Sequence, residues 1–293
     1  MSPRFGRVIT AMVTPFDDSG ELALDAAQTL AHWLVETGSD GLVLCGTTGE
    51  SPVLSDSEEV ALVKAVREAV NVPILLGTGS NDTAYAITAT RRSADLGVEG
   101  VLVVTPYYNR PSQAGLDAHF RAVAAATDLP VVLYDIPIRT GRKISTDLLV
   151  RLTNEVDNIV AVKDAAGDPS ETARLVSEAP DSFELYSGDD AFTLPLLAVG
   201  AVGVISVASH WVGRQMGEMI ANYEKGDVVM ARQINAGLLA SFDYESGDDA
   251  PNPIPTKAML RVLGLPVGQC RPPLGPAPDG LEDRARQVLE ATR

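Results

Sequence analysis

The sequence predicts a closed α/β barrel, a (β/α)8 fold of eight parallel strands, followed by a helical extension. Three observations carry that reading. Short, almost purely apolar runs recur along the first two thirds of the chain, as suits strands buried on both faces. Stretches with helical spacing and polar start signals lie between them. The apolar onsets recur every 20–33 residues, the length of one strand–helix unit. At 293 residues the chain is long for one ordinary domain and about right for one large α/β barrel or two smaller domains. With 45% hydrophobic and 21% charged residues it is globular in composition, which excludes a disordered or collagen-like chain.

Taken in order, the strands are predicted at residues 8–13, 41–45, 72–76, 100–104, 130–134, 159–162, 183–186 and 203–207. Asp25 is predicted to open a helix over 26–35. Ser55 opens another, with Glu58 three residues on in a capping-box pattern. Asp82, Ser112, Ser145 and Ser170 are further candidate caps, and Gly38 and Gly97 candidate stops. Residues 192–213 contain no charged side chain, which is long enough for a membrane span at about 20 residues. Pro195, Gly200, Gly203 and His210 interrupt the run, so it divides into a short helix over 192–199, a stop at Gly200 and a strand. The eight units end near residue 222. Beyond them 227–242, 256–263 and 281–292 have helical periodicity with no strand between, punctuated by proline-rich segments at 248–255 and 271–278. The expected division is therefore a barrel over residues 1–223 and a helical extension over 224–293. An open doubly wound sheet is the competing architecture, and eight regular units with a helical tail favour the barrel.

The charge balance bounds the partners. Lys and Arg number 23 against 39 for Asp and Glu, a net charge of −16, and no run of basic residues occurs. Such a field repels phosphate backbones, so no nucleic-acid partner is expected, and an anionic substrate has to be held by a few local positive groups. Cys45 and Cys270 stand far apart, Cys45 in an apolar run. Buried free thiols in a reducing compartment are expected rather than a disulfide. Arg4, Arg7, Pro15, Asp17 and Asp18 come too early for a signal-peptide core. The expectation is a cytoplasmic protein without a membrane segment.

In a barrel the active site is built at the C-terminal ends of the strands. Lys163 is the most informative residue there. It follows Ile-Val-Ala-Val at the end of the sixth strand, whereas Lys64, Lys143, Lys225 and Lys257 sit in polar helical or loop surroundings. A partly desolvated amine can attack a carbonyl; taken alone, Lys163 can equally be an ammonium held by a barrel-end carboxylate. Tyr134 ends the fifth strand, where it either moves protons beside that amine or packs with its hydroxyl hydrogen-bonded. The turn Gly46-Thr-Thr-Gly-Glu-Ser51 offers close backbone approach and two hydroxyls suited to a carboxylate, or is a tight connection with capping hydroxyls. Arg139 is a planar bidentate donor near the same rim, or one half of a surface ion pair. Gly77-x-Gly lacks the third glycine of a dinucleotide fingerprint. His32, His119 and His210 are isolated and read as helix or core residues. Asp189-Asp190 reads as a cap on the following helix. No metal site is indicated.

Taken together these residues resemble the pyruvate-dependent class I aldolases and lyases, the TIM-barrel family that includes N-acetylneuraminate lyase, and within it the dihydrodipicolinate synthase group. The resemblance runs from Val8 to about Leu265. It rests on Gly46-Thr-Thr-Gly-Glu-Ser51, Val103-Val-Thr-Pro-Tyr-Tyr-Asn-Arg-Pro-Ser112, Tyr134-Asp-Ile-Pro-Ile-Arg-Thr-Gly141, Val162-Lys-Asp164, Ser187-Gly-Asp-Asp190 and Gly203-Val-Ile-Ser-Val207. It implies that Lys163 forms a Schiff base with pyruvate, with no further cofactor, and that Tyr134, Thr47 and Tyr108 relay protons, Tyr108 from a neighbouring subunit. It implies that Thr48 holds the pyruvate carboxylate and Arg139 the carboxylate of aspartate semialdehyde, with Gly188 and Ile205 lining the pocket of a homotetramer. Asp135 and Ile138 stand where many relatives have Asn and a small residue, so the rim beside Arg139 is expected to differ. The competing enzyme reading is N-acetylneuraminate lyase or a 2-keto-3-deoxy sugar acid aldolase, which Arg139 argues against. A non-catalytic binding paralogue is the third, disfavoured by the intact Thr47, Tyr108, Tyr134 and Lys163.

Overall fold

The computed structural model describes residues 2–292. Eight parallel strands form a closed barrel in sequence order: β1 Val8–Ala11, β2 Gly41–Leu44, β3 Ile74–Gly77, β4 Gly100–Val104, β5 Val131–Asp135, β6 Ile159–Asp164, β7 Glu184–Ser187 and β8 Gly203–Ser206. The expected (β/α)8 barrel with helices at its C-terminal end is the observed fold. The strands are buried along almost their whole length, as their continuous apolar character requires. Helices α1 Leu24–Glu36, α2 Asp56–Ala69, α3 Thr83–Ser93, α4 Gln113–Ala124, α5 Pro137–Thr140, α6 Thr146–Glu155, α7 Pro169–Glu178, α8 Thr193–Leu197 and α9 Ser209–Glu224 follow the strands. Helices α10 Val228–Tyr244, α11 Ile254–Val262 and α12 Leu281–Ala291 complete the described chain.

The chain divides into two compact units. One is Ile74–Ile205 with the residues before Phe5; the other is Phe5–Pro73 with Ser206 onward. In the first, β5 and β6 pair in register, Tyr134 beside Lys163 and Asp135 beside Asp164. Tyr186 of β7 and Phe120 of α4 are among its largest fully buried side chains. In the second, β1 pairs with β2, and Phe5, Phe16 and Tyr244 are buried. Gly38, at φ +114°, ends α1 where an added Cβ would come within 2.8 Å of the Arg214 backbone nitrogen, so only glycine closes this turn.

Most start signals read from the sequence hold. Ser55 and Glu58 form the reciprocal capping box, and Asp82, Ser112 and Ser145 each accept a backbone N–H at the start of their helix. Two do not. Helix α1 begins at Leu24, and Asp25 lies inside its first turn, where a carboxylate complements the helix dipole without capping. Helix α7 is capped by Asp168, whose Oδ1 accepts from the Ser170 and Glu171 amides across Pro169; Ser170 is a capped residue, not the cap. Helix α11 starts at Ile254, two residues early, because Pro255 in a first turn forfeits only an amide that has no helical partner. The uncharged stretch 192–213 divides into α8, β8 and the start of α9. No helix among the described residues is long and apolar enough to cross a membrane.

Candidate active site

Within the first unit, the period-two alternation of strands puts Tyr134 and Lys163 on one face of β5–β6 and Asp135 and Asp164 on the other. Strand β6 runs two residues further than its apolar run, so Lys163 is a strand residue with its backbone held in the ladder. Its side chain is 5% exposed, and Nζ stands 4.3 Å from the centroid of the Tyr134 ring. That is close enough for the ring to stabilise an ammonium and for the phenol's neighbourhood to include the amine. Gly188, just past β7, leaves room for the lysine stem: a Cβ there would lie 2.9 Å from Lys163 Cγ and 3.0 Å from Ala165 Cβ. Ile205 is buried on β8. The Gly188 amide is fixed by the Asp164 carbonyl at 2.7 Å. Asp189 does not cap α8. Its Oδ1 accepts from the Ala191 amide two residues on, closing the turn that precedes the helix.

Two rim residues of this unit point outward. Tyr108 is 90% exposed and sits at φ +71°, a left-handed conformation unfavourable for a bulky residue. Its ring therefore projects to solvent. Arg139 is exposed on α5, next to Ile138, which is 90% exposed.

Within the second unit, the turn after β2 carries Thr47 and Thr48. Cys45 and Glu50 both adopt positive φ, which curls the turn tightly between them. Thr47 is half-buried and Thr48 buried. Asn252 Nδ2 donates to Thr48 Oγ1 at 2.9 Å, which leaves the threonine's own hydrogen to be donated elsewhere, and Thr256 Oγ1 donates to Asn252 Oδ1. Thr14 Oγ1 donates to the Gly49 carbonyl at 2.6 Å. Glu50, the turn's acid, is buried: Oε1 meets Lys257 Nζ at 2.6 Å and Oε2 accepts the Arg271 amide at 2.9 Å. Lys257 also donates to the Gln269 carbonyl at 3.0 Å and lies over the Phe16 ring.

Lys257 corrects the sequence reading. It is fully buried, not in polar surroundings, because Ile254–Leu260 is enclosed on every side of α11. Burial pushes its amine below the usual lysine range while Glu50 pulls it back up. Nothing local in the sequence joins Glu50 to Lys257 or Thr48 to Asn252, positions some 200 residues apart. Both cysteines are buried and outside any disulfide, as expected, and burial pushes Cys270 up to about 12. His119 is a buried helix residue bonded to Thr83, and burial lowers its pKa. His210 accepts the Val13 amide at Nε2, which assigns the proton to Nδ1, facing the Val207 carbonyl. Both are core histidines.

A parallel (β/α)8 barrel that presents a buried strand-end lysine beside a strand-end tyrosine belongs to the class of barrels equipped for amine chemistry on carbonyls. The chain matches the Dihydrodipicolinate synthetase family over residues 4–292 and is a member of it. It is 52% identical over 276 residues to the 4-hydroxy-tetrahydrodipicolinate synthase of Synechococcus elongatus, covering 93% of this chain and 91% of that one. The Bacillus subtilis enzyme of the same name is 46% identical over 274 residues, covering 93% and 94%. Among solved structures, dihydrodipicolinate synthase from Cyanidioschyzon merolae with lysine bound superposes with TM-score 0.96 at 45% identity, covering 99% of each chain.

Proposed function

We propose that the chain is a Schiff-base lyase that condenses pyruvate with L-aspartate 4-semialdehyde to 4-hydroxy-tetrahydrodipicolinate, the committed step towards diaminopimelate and lysine. The observation that carries this reading is Lys163, buried at the end of β6 with its amine over Tyr134, in a member of the dihydrodipicolinate synthetase family. The Lys163 amine attacks the pyruvate ketone and water leaves, giving an imine. Loss of a methyl proton gives the enamine, whose carbon attacks the semialdehyde aldehyde. The amino group of the adduct then attacks the imine carbon, closes the ring and releases the lysine.

In this scheme Tyr134, Thr47 and Tyr108 move the protons, Thr48 holds the pyruvate carboxylate, Arg139 holds the carboxylate of the semialdehyde, and Gly188 and Ile205 line the pocket. The imine on Lys163 takes the place of a cofactor. The barrel through residue 223 carries the chemistry, and residues 224–293 support it: Asn252 and Lys257 hold the Thr47–Glu50 turn. The exposed, strained Tyr108 supports a homotetramer in which each copy lends this ring to its neighbour, although a relative 36% identical, TM-score 0.94, is described as a monomeric variant. Two buried cysteines outside any disulfide fit a cytoplasmic setting.

Borohydride added with pyruvate tests the assignment. The expected result is inactivation with a reduced pyruvyl adduct on Lys163, located by peptide mass spectrometry. Inactivation that leaves Lys163 unmodified removes it as the nucleophile.

A further inference from the structure

The face of β5–β6 turned away from Lys163 carries a buried acidic cluster. Asp135, the last residue of β5, is 1% exposed. Its Oδ1 accepts the Ile144 amide at 3.1 Å, while its buried Oδ2 accepts no hydrogen bond and has Lys143 Nζ 3.7 Å away. Lys143 and Ile144 end the segment that begins immediately after Asp135 and includes α5 with Arg139. One carboxylate therefore fastens both ends of the segment that presents the arginine.

Between those ends the segment is bonded mainly to itself. The Arg139 and Thr140 amides reach the Ile136 carbonyl, the Gly141 amide reaches Pro137, and Thr140 Oγ1 bonds the Ile136 and Arg142 carbonyls. It is a preformed turn, held at its ends and along its outer side. Arg110, from the loop that carries Tyr108, and Gln113, the first residue of α4, bond the Gly141 and Lys143 carbonyls on its outer side.

The groups facing Asp135 are mostly acidic. Asp164 on β6 accepts from Ala166 and Thr172, Glu171 on α7 accepts from Thr146 on α6, and Lys143 is the cation that lines the same small cavity. Asp168, which caps α7, also feels Lys143. Burial pushes Asp135 up to about 6, with the Ile144 amide and then Lys143 opposing the rise and Asp164 adding to it. A neutral amide would still accept from Ile144, in a weaker bond than the carboxylate makes. The charge strengthens that bond and adds a hold on Lys143.

We propose that Asp135 is a positioning residue for Arg139: its charge, acting through Lys143, closes the 136–143 segment and sets the arginine's grip on the carboxylate of the second substrate. The inference rests on the reaction proposed above. Protonation frees Lys143, so the grip loosens on the acid side while the Ile144 bond remains.

Steady-state kinetics between about pH 5.5 and 8.5, with each substrate varied in turn, tests this on the wild type, Asp135→Asn and Lys143→Met. In the wild type the KM for aspartate semialdehyde is expected to rise about three- to fivefold towards the acid limit, the scale of one half-exposed ion pair, while the KM for pyruvate does not share the rise. Both variants are expected to show the raised semialdehyde KM already at pH 7.5, without the acid rise, and kcat within about twofold. Variants that track the wild type in semialdehyde KM at every pH overturn the proposal. Lys143→Met, on the half-exposed partner, decides the matter if Asp135→Asn does not fold. A wild type that does not condense the two substrates at any pH overturns the proposed function, and this inference with it.

Discussion

The chain buries two lysines, and their settings are opposite. Lys257 lies in the middle of α11, fully enclosed, with Glu50 Oε1 at 2.6 Å, the Gln269 carbonyl at 3.0 Å and the Phe16 ring beneath it. Its three donor directions are taken up by fixed groups of the same compact unit. Lys163 stands at the end of a strand, its amine over the Tyr134 ring and its stem passing a glycine that has no side chain to block it. Burial alone therefore does not fix what a lysine can do. A helix-interior lysine anchors a turn, whereas a strand-end lysine in a parallel barrel faces the rim where substrates arrive.

Breaking the Lys257 side of this comparison should be costly to the fold. Lys257→Met leaves Glu50 buried without its cation, and removing one partner of a buried pair typically costs ~3–5 kcal/mol. We expect that loss in the midpoint of denaturant unfolding, and a smaller one for Glu50→Gln combined with Lys257→Met, which removes both charges. A Lys257→Met protein as stable as the wild type would mean that the pair contributes nothing to holding the Thr47–Glu50 turn.

On the Lys163 side, Arg139→Ala is expected to leave stability unchanged, since the arginine is exposed, and to act on one substrate. Losing a charge-assisted bidentate contact costs ~1.5–3 kcal/mol, about ten- to a hundredfold in the KM for aspartate semialdehyde, with little change for pyruvate. Equal rises in both KM values would place Arg139 outside the second substrate's grip.

The smallest effect falls on stability through Asp135. Its native pKa of about 6 lies above the ordinary carboxyl value of 3.8, so the folded chain binds more protons than the unfolded one across that interval. Stability should therefore fall as the pH rises from about 4 to about 6 and run level above it. Asp135→Asn removes this slope and should be the more stable protein at pH 8, by on the order of 1–2 kcal/mol once the lost Lys143 contact is set against the relieved burial. Unfolding curves of the two proteins that run parallel between pH 4 and 8 would refute it.

Much of the fold was legible because its signals are local. Continuous apolar runs mark strands with two buried faces, and the capping box at Ser55 and the Asp82 and Ser145 caps lie within three residues of the amides they serve. The departures came where a local rule had two solutions: Asp25 suits a first turn as well as a cap, and Asp168 and Ser170 compete for the same helix start. Tyr134 and Lys163 were legible as neighbours, since consecutive strands of a parallel barrel pair in order and both residues stand one position before the ends of their strands.

By itself the sequence determined that this chain is an acidic (β/α)8 barrel with a strand-end lysine, because hydrophobic period and chain order suffice to specify parallel strands and their rim. Only the tertiary structure decided which residues stand behind that rim. Lys257 meets Glu50 across some 200 positions of sequence, Asn252 orients Thr48 across as many, and Asp135 turns away from the lysine face to grip the segment after it. The physical reason is that a buried polar group takes whatever partner the fold brings within hydrogen-bonding distance, and over such separations no local pattern encodes that partner.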